Sequence, residues 1–191
     1  MLDAEQTVRD IKKELRANMN GVASVCMRRA GVPYHVIWGI ELPRLQEIAD
    51  EFPAHRKLGQ LLWNENVREC QLLGILLTPT SEFLPEVAEI WVHEAKTPEA
   101  ISLLAMKLIA PQKWASKLAF QWVAGSEEMP ALCGWLTLCH LLRDGAELMP
   151  RSEMELRDHA TAIGTSASLF LRKAVAQTLS YLDRKVPEEC K

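Results

Sequence analysis

The sequence has no apolar run long enough to cross a bilayer. Its longest uncharged stretch near the middle, Met129 to Leu142, contains His140 and falls short of the about 20 residues a spanning helix needs. No membrane partner is expected. The start, Met1-Leu2-Asp3-Ala4-Glu5, has neither the basic nor the apolar segment of a secretory signal, which points to a cytoplasmic protein. No CxxC pair occurs. The five cysteines (Cys26, Cys70, Cys133, Cys139 and Cys190) are odd in number, and the first four sit in apolar helical stretches, as reduced, buried thiols do. A polar, low-complexity linker is also missing, so residues 1–191 are expected to form a single domain. A strong basic balance is absent as well. The net charge is -3 and the pI is near 6.0, which disfavours a generally basic nucleic-acid binder but leaves room for a local basic face.

Catalytic signatures are equally scarce. There is no GxGxxG, Walker loop or GxSxG, and His93-Glu94 lacks the second histidine of a zinc-binding HExxH helix. No cofactor is expected. Cys133, Cys139 and His140 share one apolar stretch, where core packing is the better reading than zinc ligation, so no metal is expected.

What is present is apolar spacing of three and four residues almost throughout, with hardly any two-residue alternation. Val8, Ile11, Leu15 and Met19 form a stripe ending at Asn20-Gly21, and a second helix runs from Val22 to Arg29. Pro43 opens a third, Pro53 separates it from a fourth, and Leu72, Leu73, Ile75, Leu76 and Leu77 make a fifth so apolar that it must be covered on most sides. Helices follow over Glu82 to Ala95, Pro98 to Ile109 with Thr97 as cap, Pro111 to Val123 and Glu127 to Leu142. Two more run from Ser152 to Ile163, with Ser152 and Glu155 at capping-box spacing, and from Ser166 to Leu182. The class is all-α, with about eleven helices. Second helices of successive pairs start near Asn66, Thr97, Ser126 and Ser166, roughly 30 to 40 residues apart. That interval suits degenerate HEAT-like repeats stacked into an armadillo-type α-α superhelix, with an irregular bundle as the alternative.

Six tryptophans (Trp38, Trp63, Trp91, Trp114, Trp122 and Trp135) could stack on bases, although most fall at apolar helical positions. Basic residues gather at Lys12-Lys13-Arg16, Arg28-Arg29 and Arg172-Lys173, where phosphates or plain solvent could be their partners.

Longer matches give these features a context. Trp38-Gly39-Ile40-Glu41-Leu42-Pro43-Arg44-Leu45-Gln46-Glu47-Ile48-Ala49 is similar to YGVxxPxLRxIA. Leu62-Trp63 and Arg68-Glu69-Cys70-Gln71-Leu72-Leu73-Gly74 follow in the places of LW and HEARLLA. Phe170-Leu171-Arg172-Lys173-Ala174-Val175-Ala176-Gln177 is similar to FIRKAIGW, with Leu179 to Pro187 as its continuation. In these segments the chain resembles a divergent member of the AlkD-like DNA alkylation repair family of HEAT-like repeat DNA glycosylases. That resemblance implies a solenoid whose concave face holds duplex DNA, and excision of cationic N3- or N7-alkylated purines without a metal. It implies Arg68, Arg172, Lys173 and Trp135 as DNA-binding residues.

Departures from the family pattern fall on its chemistry. Where the family has a WDxxD-like helix start, this chain reads Pro98-Glu99-Ala100-Ile101-Ser102, so a hydroxyl replaces the essential carboxylate. Ala131-Leu132-Cys133-Gly134, after Gln121-Trp122-Val123, replaces an RRAG-like segment and puts Leu132 in place of a cation. Gln177 replaces an aromatic. Losing these groups costs orders of magnitude in rate. The expectation is therefore a monomer that binds duplex DNA with weak or lost alkylpurine glycosylase activity. One alternative is an active glycosylase with a rearranged site in which Glu99 is the catalytic acid; another is a scaffold that binds a protein partner.

Overall fold

The computed structural model describes residues 3–164 and 167–184. The chain divides into two compact units, residues 1–84 and 85–191. Both are helical, and the β pairing among the described residues is one isolated parallel bridge, Val36 to Val67. Among these residues no helix is long and apolar enough to cross a membrane.

The first unit holds α1 (Ala4–Ala17), α2 (Gly21–Arg29), α3 (Leu42–Asp50), α4 (Arg56–Trp63) and α5 (Arg68–Leu76), followed by a 3-10 turn over Thr80–Glu82. Asp3 starts α1 by accepting the Gln6 N–H, and Val8, Ile11 and Leu15 carry its buried stripe. Asn20-Gly21, read from sequence as the end of this helix, begins the next one instead. The Asn20 side chain accepts the Ala23 N–H and so caps α2. Helix α4 starts later than Pro53 suggests, with a His55 ring nitrogen accepting the Lys57 N–H. In α5 every residue from Arg68 to Ile75 is buried; Leu72, Leu73 and Ile75 are so as the apolar run requires, and Arg68, Glu69 and Gln71 are buried with them.

Helices α4 and α5 approach backbone to backbone through two glycines. A Cβ on Gly74 would lie 2.9 Å from both the Gly59 carbonyl oxygen and the Trp63 nitrogen, and one on Gly59 would lie 3.0 Å from the Gly74 carbonyl oxygen.

The second unit contains α6 (Pro85–Glu94), α7 (Pro98–Leu104), α8 (Ala115–Ala124), α9 (Glu128–Arg143), α10 (Pro150–Ala162) and α11 (Leu169–Asp183). Thr97 caps α7 by accepting the Ala100 N–H at 3.3 Å, and Pro98 takes the first helical position. The helix then widens into a π turn over Ala105–Ile109, closed by the Ala110 N–H donating to the Ala105 carbonyl at 2.8 Å. Helix α9 is the core of this unit. Gly134 lets α8 lie close against it, because a Cβ there would sit 2.6 Å from the Ala119 carbonyl oxygen. On another side, the Thr178 hydroxyl of α11 donates to the Trp135 carbonyl at 3.0 Å.

Four starts in this unit differ from the sequence reading, among them α8, which begins at Ala115 and not at Pro111. Proline takes α6 to Pro85, after the 3-10 turn has used Glu82. It takes α10 to Pro150, which leaves Ser152 and Glu155 inside the helix and no capping box. Helix α11 is capped by Ser168, whose side chain accepts the Leu171 N–H. Ser166, Pro187 and Cys190 lie outside the described residues.

The Gly59–Gly74 contact yields a direct test. Gly74→Ala gains helix propensity of about 1 kcal/mol but drives a methyl into two backbone atoms, and such overpacking typically costs about 1–3 kcal/mol. Urea unfolding should show net destabilisation. Gly21→Ala, whose Cβ meets nothing within 4 Å, should be neutral or slightly stabilising.

Candidate nucleic-acid interface

Positions 99 and 102 meet at the first turn of α7. Glu99 is half-buried and Ser102 is exposed. The Ser102 hydroxyl donates to the Pro98 carbonyl at 2.8 Å, a bond back onto its own helix that ties up the single proton it carries. No carboxylate occupies position 102, so any anionic group at this helix start has to be Glu99.

Leu132 and Trp135 lie on α9 and face inward. Leu132 is buried, and Trp135 is fully enclosed at 0% exposure, with an indole N–H that meets no acceptor. A base cannot stack on an enclosed ring, so the expectation that Trp135 contacts DNA fails in this structure. The other tryptophans are buried too, apart from a half-buried Trp114.

Arg68 is also turned inward, at 3% exposure. Its Nη1 donates to the Ile40 carbonyl and to Glu69 Oε1, both at 2.9 Å. Glu69, at 0% exposure, accepts three backbone N–H groups: Trp38 at 3.1 Å, Gly39 at 2.8 Å and Ile40 at 3.3 Å. Gly39 has φ +77, and a Cβ on it would lie 2.4 Å from the Asn20 carbonyl oxygen, so only glycine fits there. Arg68 thus belongs to a buried clamp on the 38–40 loop, and its guanidinium is not available to a phosphate.

Arg172, Lys173 and Gln177 behave differently. Helix α11 packs through Leu171, Ala174, Val175, Thr178 and Leu182. The opposite face carries Leu169, Phe170, Arg172, Lys173, Ala176, Gln177 and Ser180, all exposed. Both cations that sequence reasoning singled out are exposed, but it passed over Phe170, which it took only as a motif letter. Its signal was weak, because an aromatic in the first turn of a helix is usually core.

Burial pushes Cys70 and Cys133 up to about 12, so both stay protonated near neutral pH. His140 is lowered first by desolvation and then by Arg143, while desolvation raises Cys139. No group of three or more His, Cys, Asp or Glu side chains able to hold a metal ion occurs among the described residues.

Comparisons with known proteins agree with this architecture. The family model described as "DNA alkylation repair enzyme" matches residues 11–191. No curated protein matches the chain. One solved structure is similar over 91% of this chain and 74% of its own length, with a TM-score of 0.78 and 14% identity. It is described as "A new family of proteins related to the HEAT-like repeat DNA glycosylases with affinity for branched DNA structures". At that identity the likeness concerns the fold, which is all-α and HEAT-like.

Arg68→Met separates a clamp from a phosphate contact. Removing one partner of a buried ion pair typically costs about 3–5 kcal/mol, so urea unfolding should show a loss of that order. Unchanged stability with weakened DNA binding would return Arg68 to the interface.

Proposed function

This chain belongs to the DNA alkylation repair enzyme family, and from that premise we propose that it binds DNA and has weak or lost alkylpurine glycosylase activity. The family match spans both compact units, and we read residues 1–191 as one HEAT-like repeat domain.

The observation that carries the catalytic half is Ser102. Excision of a cationic purine builds positive charge on the sugar, and a fixed negative charge beside it is the main way a protein lowers that barrier. A hydroxyl donating to Pro98 offers no such charge. The exposed Leu169–Ser180 face of α11 supports the binding half. Arg172 and Lys173 lie there one turn from each other's neighbours, where phosphates would find them. The affinity for branched DNA ascribed to the structural neighbour supports this reading further.

Retention of labelled DNA should fall steeply with added salt. Arg172→Gln and Lys173→Gln should each reduce the magnitude of the salt slope by about 1 without selecting among sequences. Absence of salt-sensitive binding to any DNA would end the proposal and favour a protein-binding scaffold, a role the net charge of -3 permits.

Incubation with an N7-methylguanine duplex should release base at or near the uncatalysed rate, in both the native protein and Glu99→Gln. Release well above background that drops about a hundredfold in Glu99→Gln would instead establish a rearranged site with Glu99 as its acid.

A further inference from the structure

The chain has six tryptophans, four phenylalanines and two tyrosines. Phe170 alone among these aromatics is exposed. It stands at 58% exposure beside Leu169 at 56%, whereas of the tryptophans that composition offered for base stacking five are buried and Trp114 is half-buried. We propose that Leu169 and Phe170 form an apolar wedge that stacks on the unpaired or terminal bases at a gap or branch in DNA, while Arg172 and Lys173 hold the adjoining phosphates. The proposal rests on the DNA-binding reading above and adds the kind of DNA.

The wedge is built on an ordered turn. Ser168 caps the helix by accepting the Leu171 N–H at 3.2 Å, and its carbonyl accepts the Arg172 N–H at 3.1 Å. Residues three and four apart share a helix face, which puts Leu169 beside Arg172 and Lys173, and Phe170 beside Lys173. Neither cation has an ion pair among the described residues. The first acidic residue along α11 is Asp183 at its far end, where it is bonded to Arg157 at 2.7 Å. An exposed aromatic next to cations, with no carboxylate on its own helix before Asp183, complements a ligand that offers a flat π-face beside negative charge. Nucleic acid does this wherever its stack is interrupted, and apolar side chains are known to wedge between unstacked bases. A continuous duplex keeps its base faces covered, so there the pair gains little and the cations act alone.

Competition binding tests this. A labelled four-way junction is displaced either by a closed, relaxed circular duplex, which has no ends, or by the same circle carrying a short gap. The native protein should prefer the gapped circle and the junction. Phe170→Ala should lose roughly tenfold in affinity for both, as expected for one lost base–aromatic stack, and change less than about twofold on the closed circle. Phe170→Trp should retain the preference. Arg172→Gln should weaken binding to all three DNAs. If the native protein does not discriminate, or if Phe170→Ala weakens all three equally or none, the wedge is overturned while DNA binding stands. If the native protein binds no DNA, both readings fall, and a Phe170-dependent protein contact would then assign the patch to a protein partner.

Discussion

Enclosing a carboxylate away from water is costly unless nearly every lone pair finds a donor. Glu69 meets that condition by drawing the Trp38, Gly39 and Ile40 N–H groups and the Arg68 guanidinium onto itself. The 38–40 loop therefore cannot wander, since any departure strands either a charge or an amide. Arg68 also binds the Ile40 carbonyl, and its own N–H donates to the Val36 carbonyl at 3.2 Å. The entrance to α3 and the start of α5 are thereby fixed to one another. Gly39, pressed against the Asn20 carbonyl, ties the start of α2 to the same point. Most of the helix order in the first unit follows from this one buried charge.

Local chemistry was legible in the sequence and distant chemistry was not. Thr97 and Pro98 announce the start of α7 because cap and helix are neighbours in the chain. The run Leu72, Leu73, Ile75 and Leu76 in α5 announces its burial, while the burial of Arg68, Glu69 and Gln71 on the same helix did not show in the sequence. Ser152 misled because Pro150, two residues earlier, is the stronger starter. Arg68 misled for a deeper reason. Its carbonyl partner, Ile40, lies 28 residues away, so an arginine at a helix start looks like a phosphate ligand until the loop is folded over it. Trp135 erred in the same direction, since an all-round apolar α9 leaves no rule for deciding which aromatic turns outward. Arg172 and Lys173 were singled out by their place near a helix start and in the FIRKAIGW-like segment, and both are exposed.

The two motif segments that most clearly carry the family resemblance, around Trp38 and Arg68, are the two sides of the Glu69 clamp. They preserve a scaffold. The positions at which the sequence departs from the resembled pattern, 102, 132 and 177, lie in helices of the second unit. Leu132 is buried in α9, and a cation in its place would need a partner there. Family membership speaks to the fold more firmly than to the reaction.

The π turn after α7 has a consequence for comparing this helix with others. It fits one more residue into a turn than an α-helix does, and each residue of an α-helix advances about 100° around the axis. Leu108 and Ile109, at the end of the turn, are therefore shifted in phase toward that angle against the α7 residues before Ala105, relative to a regular helix. A relative lacking the turn would match Glu99 and Ser102 face for face, yet bring a different neighbour inward where Leu108 and Ile109 lie buried here. Equivalence along this helix is set by whether a residue precedes Ala105 or lies within Ala105–Ile109, where the helix ends.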